Sequence, residues 1–198
     1  MIKIGITGGI GSGKSVVCDL FRLHDIPVFD ADREAKHLND TSPVIREQIT
    51  SHFGESLYID DKLNRKEFAR LIFHDQKKLT IANAIIHPVL AGYFQEWCLQ
   101  RVAQPYLIID AAILIEAGFQ RFVDTVLIVT CPADIRLERV MKRDHSTRNE
   151  VETRMRNQLP EEEKVKQGDF VICNDNRQSL IRQVDDFLQT LSHDGRFQ

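Results

Sequence analysis

The residues best suited to chemistry lie near the start of the chain: Gly8-Gly9-Ile10-Gly11-Ser12-Gly13-Lys14-Ser15. They satisfy G-x-x-x-x-G-K-[ST] at every fixed position. Glycines let the backbone curl into a nest whose N–H groups point at an anion. A helix starting at the loop adds its free N–H groups and the positive end of its dipole. Lys14 brings a mobile positive charge to the outer phosphates of a polyphosphate, and the Ser15 hydroxyl suits the coordination shell of Mg²⁺.

Carboxylates come next. Asp30 and Asp32 sit two apart at the end of a short predicted strand. Either one suits orienting a hydroxyl and accepting its proton as the oxygen attacks a phosphorus. Either also suits a helix cap, Asp32 in particular, because a helix is predicted from Arg33 to Leu38. Asp110 ends an apolar run, where an acidic residue often holds Mg²⁺ beside a phosphate loop. Glu116 is a weaker candidate for the same acidic floor. Arg136, Arg139 and Arg143 share one face of a predicted helix and could neutralise charge that builds up during phosphoryl transfer. Arg65 could hold a phosphate of an acceptor, and His87 precedes Pro88 in the same helical region. Asn174 directly follows the last predicted strand, a place for a nucleotide base or a plain turn.

The elements that must position these groups alternate. Ile2, Ile4 and Ile6 predict a first strand, and Val16 to Leu23 an amphipathic helix. Ile26 to Phe29 is a second strand. Tyr106–Asp110 and Thr125–Thr130 are continuous apolar runs, as expected for parallel strands covered on both faces. Phe170–Cys173 is a fifth strand. Helices are predicted over 134–144, 148–158 and 178–191, with a short acidic one from Pro160. Residues 193–198 are expected to fray. This order predicts a three-layer α/β fold with a parallel sheet of five strands. The stretch at about 33–103 is mainly helical and too long for a simple crossover, so it reads as a helical insertion. There, Glu55 to Leu63 reads as a polar loop, Asn64 and Glu67 as a capping box, and Pro88 as a helix break near His87. The turn His145-Ser146-Thr147 could hinge a lid over about 135–158. The core is then 1–32, 104–134 and 159–198 of one domain.

The bulk properties narrow the class. The chain has 198 residues, 42% of them hydrophobic and 28% charged, with a net charge of −3. Those values suit a soluble globular protein and give no general attraction to nucleic acid or anionic lipid. Cys18, Cys98, Cys131 and Cys173 are scattered, which points away from a zinc or redox site and towards free thiols in a reducing compartment. No signal peptide, membrane span or obligate protein partner is expected, and the default location is cytoplasmic.

Together these residues resemble the dephospho-CoA kinase family. The likeness runs through Gly5 to Ser15, Asp30-Ala31-Asp32, Phe53-Gly54, Leu63-Asn64-Arg65, His87-Pro88, Arg139, Arg143-Asp144, Gln158 and Asn174. The resemblance implies a P-loop kinase core with a helical substrate-binding subdomain and a lid. It implies ATP-dependent phosphorylation of the ribose 3′-hydroxyl of dephospho-CoA with Mg²⁺, ATP and dephospho-CoA being the partners. Asp32 would then be the base and Arg139 and Arg143 the lid arginines. Asp30, Arg65 and His87 would face the acceptor, Ser15 and Asp110 the metal. Gly8 to Val16 and Asn174 would face ATP. Val16 stands where the family usually has Thr, leaving backbone contacts there. Asn64 replaces the usual Asp, Arg136 the common Gln, and the run after Asp110 lacks the usual Pro. The runner-up is another small-molecule P-loop kinase, such as one for nucleoside monophosphates. A GTPase-type switch is disfavoured, because no N/T-K-x-D motif occurs.

Overall fold

The computed structural model describes residues 1–73 and 75–195. The first half of the chain forms β1 (Ile2–Thr7), α1 (Lys14–Leu23), β2 (Val28–Asp30), α2 (Ala31–Thr41), α3 (Pro43–Phe53), β3 (Tyr58–Ile59), β4 (Lys62–Leu63), α4 (Arg65–Phe73) and α5 (Gln76–Leu99). The second half forms β5 (Tyr106–Asp110), β6 (Thr125–Thr130), α6 (Ala133–Asp144), α7 (Arg148–Arg156), α8 (Glu161–Val165), β7 (Phe170–Cys173) and α9 (Leu180–His193). Of the tail expected to fray, Arg196 to Gln198 lie outside the described residues, and α9 keeps helical form to His193.

The main sheet has five strands in the order β2-β5-β1-β6-β7. β1 runs parallel to both β5 and β6, so Ile6 lies level with Asp110 on one side and Leu127 on the other. Parallel strands in register bring their C-terminal ends to one edge, and the turn after β1 opens there. The apolar runs read from the sequence fill the core: Ile4, Ile6, Ile108, Leu127 and Val129 pack with Val17 and Phe21 of α1 and with Val184, Phe187 and Leu191 of α9. Phe187 meets Phe21 and Phe170 edge-on, with ring centroids 5.8 Å and 5.0 Å apart. Such pairs add about 0.5–1.5 kcal/mol to the burial itself.

The chain divides into two compact units, one of Met1–Phe29 with Val102–Gln198 and one of Asp30–Arg101. The second unit is helical and buries Ile45, Ile49, Leu57, Phe68, Leu90 and Phe94. Three expectations in it are corrected. The presumed loop contains an antiparallel hairpin, β3 with β4, turned by Asp60 and Asp61 with φ of 48° and 61°. Two successive left-handed residues make the tight turn that matches strand twist. Pro88 does not end its helix: α5 continues through it to Leu99, with Ala82, Leu90, Ala91, Phe94 and Cys98 buried along its length. Burial on both sides of the proline outweighs one missing hydrogen bond. Asn64 does cap α4, accepting from the Glu67 N–H at 3.2 Å. Glu67, however, does not complete the box: the Asn64 N–H is already given to the Leu57 carbonyl at 2.7 Å, and the Glu67 carboxylate turns to Arg70.

Candidate active site

The turn from Gly8 to Gly13 links β1 to α1, and glycine is required at two of its positions. Gly11 and Gly13 have φ of 80° and 87°. A Cβ on Gly13 would also collide with Nδ2 of Asn174, and one on Gly11 with the backbone carbonyl of Arg136. α1 then begins at Lys14 with Gly13 as its cap residue, no side-chain cap and no acidic residue in its first turn. The first turn of the helix therefore sets no capping or acidic side chain of its own against its positive end. Ser15 and Val16 are exposed at this end, and the Ser15 hydroxyl has no hydrogen-bond partner among the described residues.

Three braces hold the turn. Asn174, buried just beyond β7, donates from Nδ2 to the Ser12 carbonyl at 2.8 Å. Its own carbonyl and its Oδ1 both accept from Nη2 of Arg139 at 3.3 Å, and Asn176 Oδ1 accepts from the same nitrogen at 2.5 Å. Gln158 Oε1 accepts the Ile10 N–H at 2.8 Å. The Ile10 side chain packs on the small apolar cluster of Leu137, Val140 and Val151, contributed by α6 and α7.

Lys14 Nζ pairs with Asp110 Oδ1 at the end of β5, and both side chains are mostly buried. Asp110 and Ser15 offer the hard oxygen donors that Mg²⁺ takes, together with phosphate oxygens and water. Among the described residues there is no group of three or more His, Cys, Asp or Glu arranged to hold a metal. Mg²⁺ sites on nucleotide phosphates need only one or two protein carboxylates, so the donor set fits.

The three arginines of α6 have different surroundings. Arg136 lies against Gly9 and 3.5 Å from Glu161, whose carboxyl is pushed up by burial. Arg139 is tied to Asn174 and Asn176. Arg143 is exposed and chelates Asp144 at 2.7 Å and 3.1 Å, and Arg154 meets the same carboxylate at 2.6 Å. These two guanidinium groups hold the Asp144 carboxyl well below the usual range. Arg139 is thus brought to the phosphate loop's braces, and Arg143 to the α6–α7 corner.

In the helical unit, Asp30 rather than Asp32 caps α2: its Oδ1 accepts the Arg33 N–H at 2.9 Å. Asp32 stands in the first turn, exposed and without a hydrogen-bond partner among the described residues. Arg65 is bound to Asp40 and donates to the Lys36 carbonyl at 3.3 Å, so its half-exposed side chain is tied to α2. His87 is half-buried in α5, and burial pushes its pKa down.

One expectation is corrected here, and three contacts had no bottom-up signal in the sequence. Glu116 does not join the acidic floor. It pairs instead with Lys164, which is fully buried on α8. The contact between Gln158 and Ile10 had no signal beyond the resemblance, and neither did the seat of Arg136 on Gly9.

Comparisons with known proteins place the chain as a whole among its relatives. The family model described as dephospho-CoA kinase matches residues 2–179. A dephospho-CoA kinase of Porphyromonas gingivalis is 41% identical over 192 residues, covering 96% of this chain and 95% of that one. One of Bacteroides fragilis is 39% identical over 183 residues, covering 92% and 89%. A crystal structure from Thermus thermophilus superimposes with a TM-score of 0.82 at 34% identity, covering 96% of both chains.

Proposed function

The chain belongs to the dephospho-CoA kinase family, and from that premise we propose that it transfers the γ-phosphoryl group of ATP to the ribose 3′-hydroxyl of dephospho-CoA, giving coenzyme A. The observation that carries this reading is the braced glycine turn opening onto an uncapped, acid-free helix start with Lys14 as its first residue. That arrangement suits the tail of a nucleoside triphosphate. Transfer between oxygens needs little covalent help from a protein. It needs in-line placement and compensation of charge.

In this reading Gly8, Gly9, Ile10, Gly11, Ser12 and Gly13 wrap the phosphates by their backbone, with Val16 adding its N–H and Asn174 holding the loop in shape. Lys14 leaves Asp110 for the outer phosphates. Ser15 and Asp110 would hold Mg²⁺, which when bound draws charge from the β- and γ-phosphate oxygens. Asp32 accepts the proton of the attacking hydroxyl, and its freedom from the capping role supports that assignment. Arg139 and Arg143 neutralise charge on the moving phosphoryl. Asp30, Arg65 and His87 serve the acceptor. The helical unit is the substrate-binding part, 135–158 is the lid, and the enzyme works in the cytoplasm. Among the described residues no helix is long and apolar enough to cross a membrane.

The test is an ADP-release assay with ATP and Mg²⁺ across a panel of acceptors. Turnover with dephospho-CoA and none with AMP or UMP is the expected outcome. The reverse pattern would replace this acceptor with a nucleoside monophosphate.

A further inference from the structure

Lys164 is fully buried, yet nothing in the proposed reaction uses it. Its ammonium reaches Glu116 Oε1 at 2.8 Å and the Ala112 carbonyl at 3.1 Å. Removing a cation from water is costly, and an apolar pair of similar volume commonly serves stability as well or better. Stability alone therefore gives no reason for a charge at this point of α8.

The two contacts lead elsewhere. The Ala112 carbonyl also accepts from the hydroxyl of Thr7 at 3.2 Å, and Thr7 is the last residue before Gly8. Ala112 is two residues past Asp110, the partner of Lys14. The second contact, Glu116 Oε1, also accepts the Leu159 N–H at 3.1 Å. The neighbour of Leu159 is Gln158, which takes the Ile10 N–H. From one buried ammonium, then, one line of hydrogen bonds runs to the entry of the phosphate loop and another to its third residue. In a low-dielectric interior such a network holds its members more firmly than the same bonds would in water.

We infer that Lys164 is a positioning residue for the nucleotide: through Glu116 and Ala112 it fixes the entry and the first residues of the phosphate loop without touching the ligand. This rests on the ATP reading above and extends it to a residue outside the site.

The experiment is equilibrium titration with Mg·ATP, without acceptor, alongside thermal melting of each variant. Lys164→Met removes the ammonium at the head of both lines while leaving Glu116, whose side chain is 25% exposed, able to take water. It is expected to weaken ATP binding about tenfold, the scale of a lost hydrogen bond to a charged group. The pair Lys164→Met with Glu116→Leu replaces the ion pair by apolar contact. It should recover melting temperature but not ATP affinity. Gln158→Ala, cutting the second line alone, should weaken ATP binding with little change in melting. Steady-state KM for dephospho-CoA should move less than that for ATP in all three. ATP affinity that returns to wild type along with the melting temperature would show a purely structural lysine and overturn the inference. So would wild-type ATP affinity in Gln158→Ala, which also decides the matter should Lys164→Met fail to fold. Failure of the wild-type protein itself to bind ATP would overturn the parent reading as well, so the two failures are told apart.

Discussion

Two aspartates two positions apart, Asp30 and Asp32, have different surroundings. Asp30 satisfies a free N–H at the start of α2, and Asp32 is left exposed within its first turn. Replacing Asp30 with Ala should cost about 1 kcal/mol in a denaturant melt, while Asn there, an equal cap, should cost far less. Asp32→Asn should instead lower kcat by about a hundredfold or more, the usual scale of a general base, with KM for ATP little changed. Near-normal kcat would remove Asp32 from the reaction. The sequence left the capping role open between the two. Its predicted helix began at Arg33, whereas the real one begins at Ala31, and that shift decides which carboxylate is the cap. The turn between β1 and α1 was legible, because the fixed positions of its motif carry glycines and a Lys-Ser end at a set spacing, and two of those glycines take the left-handed backbone that glycine favours. Lys164 was not, since a lysine among glutamates on a short helix reads as a solvated face.

The helices carry the next set of predictions. On α6 a row of three arginines is easily read from spacing, but spacing does not say what each one meets: Arg136 and Arg139 find partners far along the chain, and Arg143 finds its own neighbour. Arg139 is fixed by Asn174 and Asn176, whereas Arg143 is occupied by Asp144. Arg139→Ala should therefore lower kcat/KM for ATP about a hundredfold, and Arg143→Ala less than about tenfold. Equal losses would show that Arg143 leaves Asp144 and reaches the phosphates as directly as Arg139 does. On α5, burial lowers the pKa of His87 from its ordinary 6.5. The folded protein then binds fewer protons at this site than the unfolded chain does, so stability contributed here is present above about pH 6.5 and is lost as pH falls towards the folded value. Melting temperatures from pH 7.5 to 5.5 should drop more for wild type than for His87→Gln; parallel curves would contradict this. The helix itself defeated a local rule. Proline penalises a helix interior, yet α5 passes through Pro88 because tertiary burial on both sides holds it. The hairpin of β3 and β4 was missed for a similar reason: its strands are two residues each, too short for a period to register, and its Asp60-Asp61 turn lacks the usual glycine.

At the scale of the molecule, the parallel sheet was legible because the runs at 106–110 and 125–130 are apolar without alternation, which only a strand covered on both faces requires. The strand order was not, since no local feature says that β1 lies between β5 and β6. That order brings Asp110 level with Ile6 and so within reach of Lys14. The account as a whole stands on the identity of the acceptor and of the oxygen that is phosphorylated. The most direct measurement is product analysis by mass spectrometry and ³¹P NMR after incubation with ATP, Mg²⁺ and dephospho-CoA. Coenzyme A carrying its new phosphate on the ribose 3′-oxygen is the predicted product. Unchanged dephospho-CoA, or a phosphate on any other oxygen, would contradict it.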